Sequence, residues 1–238
     1  MNLFPANVKF LSTERTIEDG RGVEGFNNFN LALHVNDNSE DVICNRSILR
    51  DYYDLPSDPA WLNQTHSSIC CNASDLNSIK EADASFTSDS GIVCGILTAD
   101  CLPVFVSKKD GSMVGIAHAG WRGLATGVIE NLIDEFDCMG QDIVIHLGPA
   151  ISKYSYEIGE EVKDIYLSKN PNFERAFLHH NNKLFLDLYD AARVVLEGYK
   201  ISSINGGDSC TYKEVDRFFS FRRDGVNSGR MAHLIWMK

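Results

Sequence analysis

Positive charge is scarce in this chain. Lysine and arginine number 22 against 33 acidic residues, a net charge of −11. A surface that negative repels a phosphate backbone or an anionic membrane unless its cations are gathered locally, so neither nucleic acid nor membrane is an expected partner. No apolar run approaches the roughly 20 residues that a membrane-spanning helix needs. Met1–Phe10 holds one lysine, a proline and no sustained apolar core, and does not read as a secretory signal. Repeats, low-complexity tracts and Gly/Ser-rich or Pro-rich linkers are also missing, and the six prolines are dispersed. One domain spanning 1–238 is the expectation. The seven cysteines, at 44, 70, 71, 94, 101, 138 and 210, are odd in number and scattered, unlike a disulfide framework. They point to a reducing compartment, the cytoplasm.

Hydrophobic residues make up 44% of the chain, enough to bury a sizeable core and exclude a disordered polymer. Asn36 to Ser39 supply capping side chains, and Val42, Ile43, Arg46, Leu49 and Tyr53 then recur at helical spacing, predicting a helix over 40–53. Short apolar runs at 92–97, 102–106 and 113–118 predict three strands. Leu124, Ala125, Val128, Ile129, Leu132, Ile133 and Phe136 follow as one buried helix face. A strand over 143–147 ends at Gly148-Pro149, with further helices expected at 159–168 and 189–198 and strands near 183–187 and 231–236. The Asp110-Gly111 turn demands antiparallel pairing. The expected fold is therefore α/β (α+β): a mixed β-sheet core with antiparallel hairpins, layered with helices.

Chemistry concentrates between Thr98 and Gly123. If the runs on either side of Lys108 to Gly111 form a hairpin, a four-residue loop sets Cys101 directly opposite His118, and a two-residue loop sets them diagonally. Both registers bring a thiol beside an imidazole. Such a pair is most often a packed cysteine near an ordinary histidine. Its two chemical uses are a zinc site with a vacant position, given a third ligand, or a cysteine nucleophile with a histidine base. His66, in Gln64-Thr65-His66, is the best third ligand, although its 35-residue separation from Cys101 matches no zinc-finger pattern. Gly120 and Gly123 flank Arg122, and the helix predicted to follow begins with free N–H groups, so this loop suits a small anion such as phosphate. Arg222, Arg223 and Arg230 offer further positive charge for such an anion, but taken singly each reads better as a turn residue or a surface ion pair. His179-His180 reads as a solvated loop, and Cys70, Cys71, Cys94, Cys138 and Cys210 read as packing. Asp100 is assigned either ligand orientation and proton transfer or a turn role.

These residues resemble the YfiH family, also called the laccase-domain or polyphenol-oxidoreductase-like family. The likeness runs through Asn30-Leu31-Ala32-Leu33-His34-Val35, Asn45-Arg46, Gln64-Thr65-His66, Ala82-Asp83-Ala84 and Thr98-Ala99-Asp100-Cys101-Leu102-Pro103-Val104. It continues through His118-Ala119-Gly120-Trp121-Arg122-Gly123, Gly148-Pro149-Ala150-Ile151, Tyr156-Glu157-Ile158-Gly159 and Phe219-Ser220-Phe221-Arg222-Arg223-Asp224 to Gly229-Arg230-Met231. Asn36 departs from the family, where glycine is common.

The resemblance implies that His66, Cys101 and His118 bind a catalytic zinc ion. It implies phosphorolysis of adenosine, inosine and methylthioadenosine and hydrolytic deamination of adenosine, with nucleoside and phosphate as partners. A bacterial branch implies a second reading, a Cys–His amide hydrolase that removes misincorporated serine from peptidoglycan precursors. A copper-dependent polyphenol oxidase ranks lower: seven histidines without a His-x-His pair are too few for a multicopper centre, although His66, Cys101 and His118 have a blue-copper composition. A metal-binding module without catalysis is a further alternative.

Overall fold

The computed structural model describes residues 4–23, 26, 28–75 and 78–238. Met1 to Leu3 of the amino-terminal stretch lie outside the described residues, as do positions 24, 25, 27, 76 and 77. The fold is a mixed sheet covered by helices on one face and by a second sheet on the other.

Six strands form the main sheet: β2 (Cys70–Asn72), β3 (Ala84–Thr87), β5 (Leu102–Lys108), β6 (Val114–Ala119), β7 (Ile143–Leu147) and β11 (Ser203–Gly206), in the order β11-β7-β5-β6-β3-β2. The outer pairs β11–β7 and β2–β3 are parallel and the inner pairs antiparallel. The second sheet packs β12 (Met231–Met237) between β1 (Val8–Ser12) and β4 (Val93–Thr98). A small third sheet joins β8 (Glu157–Ile158), β10 (Lys183–Leu186) and β9 (Phe177–His180).

Side chains alternate across a strand, and the core divides accordingly. Leu102, Val104 and Val106 of β5, with Ala117 and Ala119 of β6, pack toward the helices. Those helices are α2 (Trp121–Thr126), α3 (Val128–Asp134), α4 (Glu160–Lys169) and α5 (Leu188–Gly198). Phe105, Val114 and Ile116 face the opposite way, against Cys94, Ile96 and Ile235 of the second sheet. Cys101 and His118 share the parity of this second set, so both side chains rise on the face where the two sheets meet.

Four expectations change. The helix expected through 124–136 is broken into α2 and α3 at Gly127, whose φ of 102° only glycine adopts without strain. The apolar stripe of α1 (Ser39–Tyr52), capped by Asn38, runs through Val42, Asn45 and Leu49, while Ile43 is exposed. Asn45 is buried there because its amide serves a backbone: its oxygen accepts from Arg21 N, and its nitrogen donates to the carbonyls of Arg21 and Asn30. His179-His180 ends β9, exposed, instead of lying in a loop, and Cys138 is exposed instead of packed.

Candidate metal centre

The hairpin adopts the diagonal register: Pro103 pairs with His118 and Leu102 with Ala119, which leaves Cys101 one residue beyond the strand and diagonal to His118. His66 arrives from the loop before β2. Gln64 pins that loop to the β4 edge, donating to Leu97 O and accepting from Leu97 N, both at 2.8 Å. His66 itself sits at φ 61°, a left-handed conformation that costs a non-glycine residue and is held here by its surroundings.

What holds it is Asp83, a fully buried carboxylate just ahead of β3. Oδ2 accepts from Thr65 N (3.1 Å), Ser67 N (2.6 Å) and Ser67 Oγ (2.7 Å), and Oδ1 accepts from His66 N (3.1 Å). Oδ1 also accepts from His118 Nδ1 at 2.7 Å. A carboxylate that only accepts fixes a proton on Nδ1, so Nε2 is the His118 atom presented to a ligand, and a metal there would take the place of any proton on it. One side chain thus positions both histidines.

One ligand-type atom from each of His66, Cys101 and His118 lies within 4.8 Å of the others, and Cys101 Sγ is 3.8 Å from His66 Nε2. Burial would raise the Cys101 thiol, but the His118 and His66 imidazoles outweigh it and hold the thiol below its ordinary value. Burial would lower His118, and the Cys101 sulfur and the Asp83 carboxylate raise it instead. Burial acts against the Asp83 carboxylate as well, yet His118 and Ser67 bring it down to about 2. A thiolate and two imidazoles suit a borderline transition-metal ion. A Cβ on Gly120 would stand 2.8 Å from His66 Cδ2 and 2.9 Å from Cys101 Sγ, so a glycine there leaves room for His66 and Cys101 to approach each other.

The group lies at one side of a cavity of about 510 Å³, inside the range of roughly 300–1,000 Å³ found for small-molecule sites. Arg122, Arg222 and Arg230 all line it, with Trp121, Tyr156, Phe221 and His34. For Arg222 and Arg230 the structure favours the added positive charge over the turn or ion-pair roles that the sequence ranks first. Antiparallel pairing of Thr98 with Met231 carries Arg230 to the Cys101 turn, and Arg222 N donates to Asp100 Oδ2 at 2.7 Å. Arg223 does form the ion pair expected, with Asp224. Helix α2 begins at Trp121 after Gly120, and Arg122 in its first turn borders the cavity. Asp83 was missed as a functional residue; it lies 17 residues from His66 and 35 from His118, with no local signal of its role.

The family model for multi-copper polyphenol oxidoreductase laccase matches residues 10–238. A search of curated proteins finds Purine nucleoside phosphorylase YfiH of Escherichia coli, 39% identical over 98% of this chain and 95% of its own. The chain belongs to the YfiH family. Purine nucleoside phosphorylase PA4543 of Pseudomonas aeruginosa is 36% identical over 98% of this chain and 95% of its own. Among solved structures, the Neisseria meningitidis protein NMB0706 superposes with a TM-score of 0.94 at 41% identity, over 100% of this chain and 97% of that one. Bacillus licheniformis YfiH superposes at 0.89 with 29% identity, over 97% and 93%. The multi-copper wording of the YfiH family model finds one counterpart here: among the described residues a single group of metal-type side chains converges. No helix among the described residues is long and apolar enough to cross a membrane.

Proposed function

We propose that this chain is a zinc-dependent purine nucleoside phosphorylase, a single domain over 1–238 in the cytoplasm, that cleaves adenosine, inosine and methylthioadenosine and also deaminates adenosine. The observation that carries this reading is the joining of a His₂Cys donor set to one cavity lined by three arginines, none with a carboxylate at ion-pair distance among the described residues. The names of the curated relatives support the nucleoside assignment. Seven cysteines, all free, support the compartment.

His66, Cys101 and His118 would hold the zinc ion, which when bound supplies Lewis acidity and makes water acidic enough to ionise near neutrality. In phosphorolysis a phosphate oxygen bonds to ribose C1′ while the C1′–N9 bond breaks, and the purine leaves with the bonding pair. Arg122 lies on the cavity wall and would hold the phosphate, converting an encounter of two solutes into an oriented one. Asp83 keeps the His118 proton on Nδ1 and the ring fixed, and the imidazoles keep Cys101 anionic. In deamination, a water oxygen bonds to C6 of adenosine, the C6–N6 bond breaks, and the amino group leaves as ammonia to give inosine.

The test is to incubate the pure protein with adenosine, with and without phosphate, and to separate adenine, inosine and hypoxanthine. Adenine appearing only with phosphate supports phosphorolysis, and inosine without phosphate supports deamination; neither product defeats the reading. The Asp83–His118–Cys101 chain favours one other reading, a thiol amidase acting on a serine-containing peptidoglycan precursor. That enzyme would cleave its amide after chelation, whereas the nucleoside enzyme would lose activity.

A further inference from the structure

Arg122 and Arg222 are unusual in a chain with so large an acidic excess. Neither has a carboxylate at ion-pair distance among the described residues. Each is instead laid on an aromatic face: the Arg122 guanidinium carbon is 4.3 Å from the Trp121 ring centroid, and that of Arg222 is 5.0 Å from the Tyr156 centroid. Stacking fixes a guanidinium plane and leaves its edge donors free for planar recognition. Arg222 spends one nitrogen on Glu157 O at 3.0 Å, which fixes its fork further. Both side chains border the cavity that holds Cys101, and the Tyr156 phenol feels both guanidinium charges as well as the Cys101 sulfur.

Asp100 ties this wall to the candidate metal centre. It sits at φ 94° beside Cys101, its carboxylate nearly buried. Oδ1 accepts from Thr211 Oγ1 at 2.6 Å, Oδ2 accepts from Arg222 N at 2.7 Å, and its carbonyl accepts from Ile151 N at 2.9 Å. Both carboxylate oxygens are committed to holding segments, so its role is placement of the arginine wall against the Cys101 turn.

We propose that Arg222 and Arg122 form a two-armed clamp for a phosphoryl group, with the Tyr156 hydroxyl as a third donor and Asp100 as the positioning residue that sets Arg222. Two forks and a hydroxyl offer more donors than the two oxygens of a carboxylate use, and match the three or four oxygens of a phosphate. The clamp deepens the phosphorolytic reading and rests on it for the identity of free phosphate; the alternative source of the same chemistry is the 5′-phosphate of a nucleotide.

Calorimetric titration of the full chain with inorganic phosphate, and separately with adenosine 5′-monophosphate, tests the clamp, alongside KM for phosphate and for nucleoside. Losing charge-assisted hydrogen bonds in Arg222→Gln or Arg122→Gln is expected to weaken phosphate binding by about 10- to 100-fold, with KM for nucleoside little changed. Arg222→Lys keeps the charge without the fork and recovers part of the loss. Asp100→Ala strands two donors and raises KM for phosphate without moving KM for nucleoside. Asp100→Asn restores it, because its oxygen accepts from Arg222 N while its amide donates to Thr211 Oγ1. Phosphate affinity unchanged in both glutamine variants overturns the clamp, even if nucleosides are phosphorolysed. Arginine-dependent binding of phosphate or nucleotide without any phosphorolysis upholds the clamp and removes the phosphorolytic reading.

Discussion

Replacing Asp83 with asparagine removes one charge and almost no volume, yet five donors converge on that carboxylate. An asparagine has one acceptor oxygen. If it takes the place of Oδ1, the amide nitrogen confronts the N–H groups of Thr65 and Ser67. If it takes the place of Oδ2, the nitrogen confronts His66 N and His118 Nδ1. Either choice leaves two donors facing a donor, at up to about 1–3 kcal/mol for each, the larger cost falling on the buried His118 and the smaller on the part-buried N–H groups of the 65–67 loop. Relief comes from freeing the 65–67 loop or turning the His118 ring, and each disperses the three ligand atoms. Loss of such an outer partner typically weakens metal binding about 10- to 100-fold. Zinc affinity is measured by competition with a chromogenic chelator, and stability by urea unfolding of the same samples. Asp83→Asn is expected to lower both, with metal affinity falling at least tenfold. Wild-type zinc affinity in a destabilised Asp83→Asn protein would refute the argument, because the carboxylate would then be a folding element that does not orient the ligands.

Gly120→Ala places a methyl group within 3 Å of His66 and Cys101, so it is expected to abolish stoichiometric zinc binding while the circular dichroism stays native; full zinc content in that variant would contradict the crowding argument. Gly127→Ala forces an alanine into φ 102° and should cost about 1–2 kcal/mol in urea unfolding; an unchanged midpoint would mean that α2 and α3 can join. Burial pushes the His233 imidazole down to about 3 from 6.5, between hydroxyls of Thr98 and Ser12. Between those values the unfolded chain binds a proton that the folded chain does not, so stability falls as pH drops, by up to about 1.4 kcal/mol per pH unit. His233→Gln should flatten this slope in urea unfolding between pH 4 and 6.5; an equal slope would assign the acid sensitivity to other groups.

Local pattern in this chain reported what depends on near neighbours. The apolar runs around 92–118 became β4, β5 and β6, and the Asp110-Gly111 turn was enough to place Cys101 beside His118. Periodicity failed at Gly127 because Leu124, Val128 and Leu132 keep their spacing across the break, so the apolar stripe does not register the change in backbone. The sequence offered His66 as the best third ligand with only weak support from spacing, and the family resemblance strengthened it, since its place depends on Gln64 bonding to Leu97 and on Asp83, contacts with no sequence period. Arg222 and Arg230 were hidden for a similar reason. They reach the cavity only through the pairing of β12 with β4 and the bond from Arg222 N to Asp100, more than 100 residues away.

The most direct measurement is titration of the metal-free protein with cobalt(II), followed by absorption spectroscopy. A cobalt ion bound by one thiolate and two imidazoles gives a sulfur-to-metal charge-transfer band that saturates at one equivalent. The account predicts that band in the wild type, its loss in Cys101→Ser, and weaker binding in His66→Ala and His118→Ala. No band at one equivalent, or a band that survives in Cys101→Ser, would contradict it.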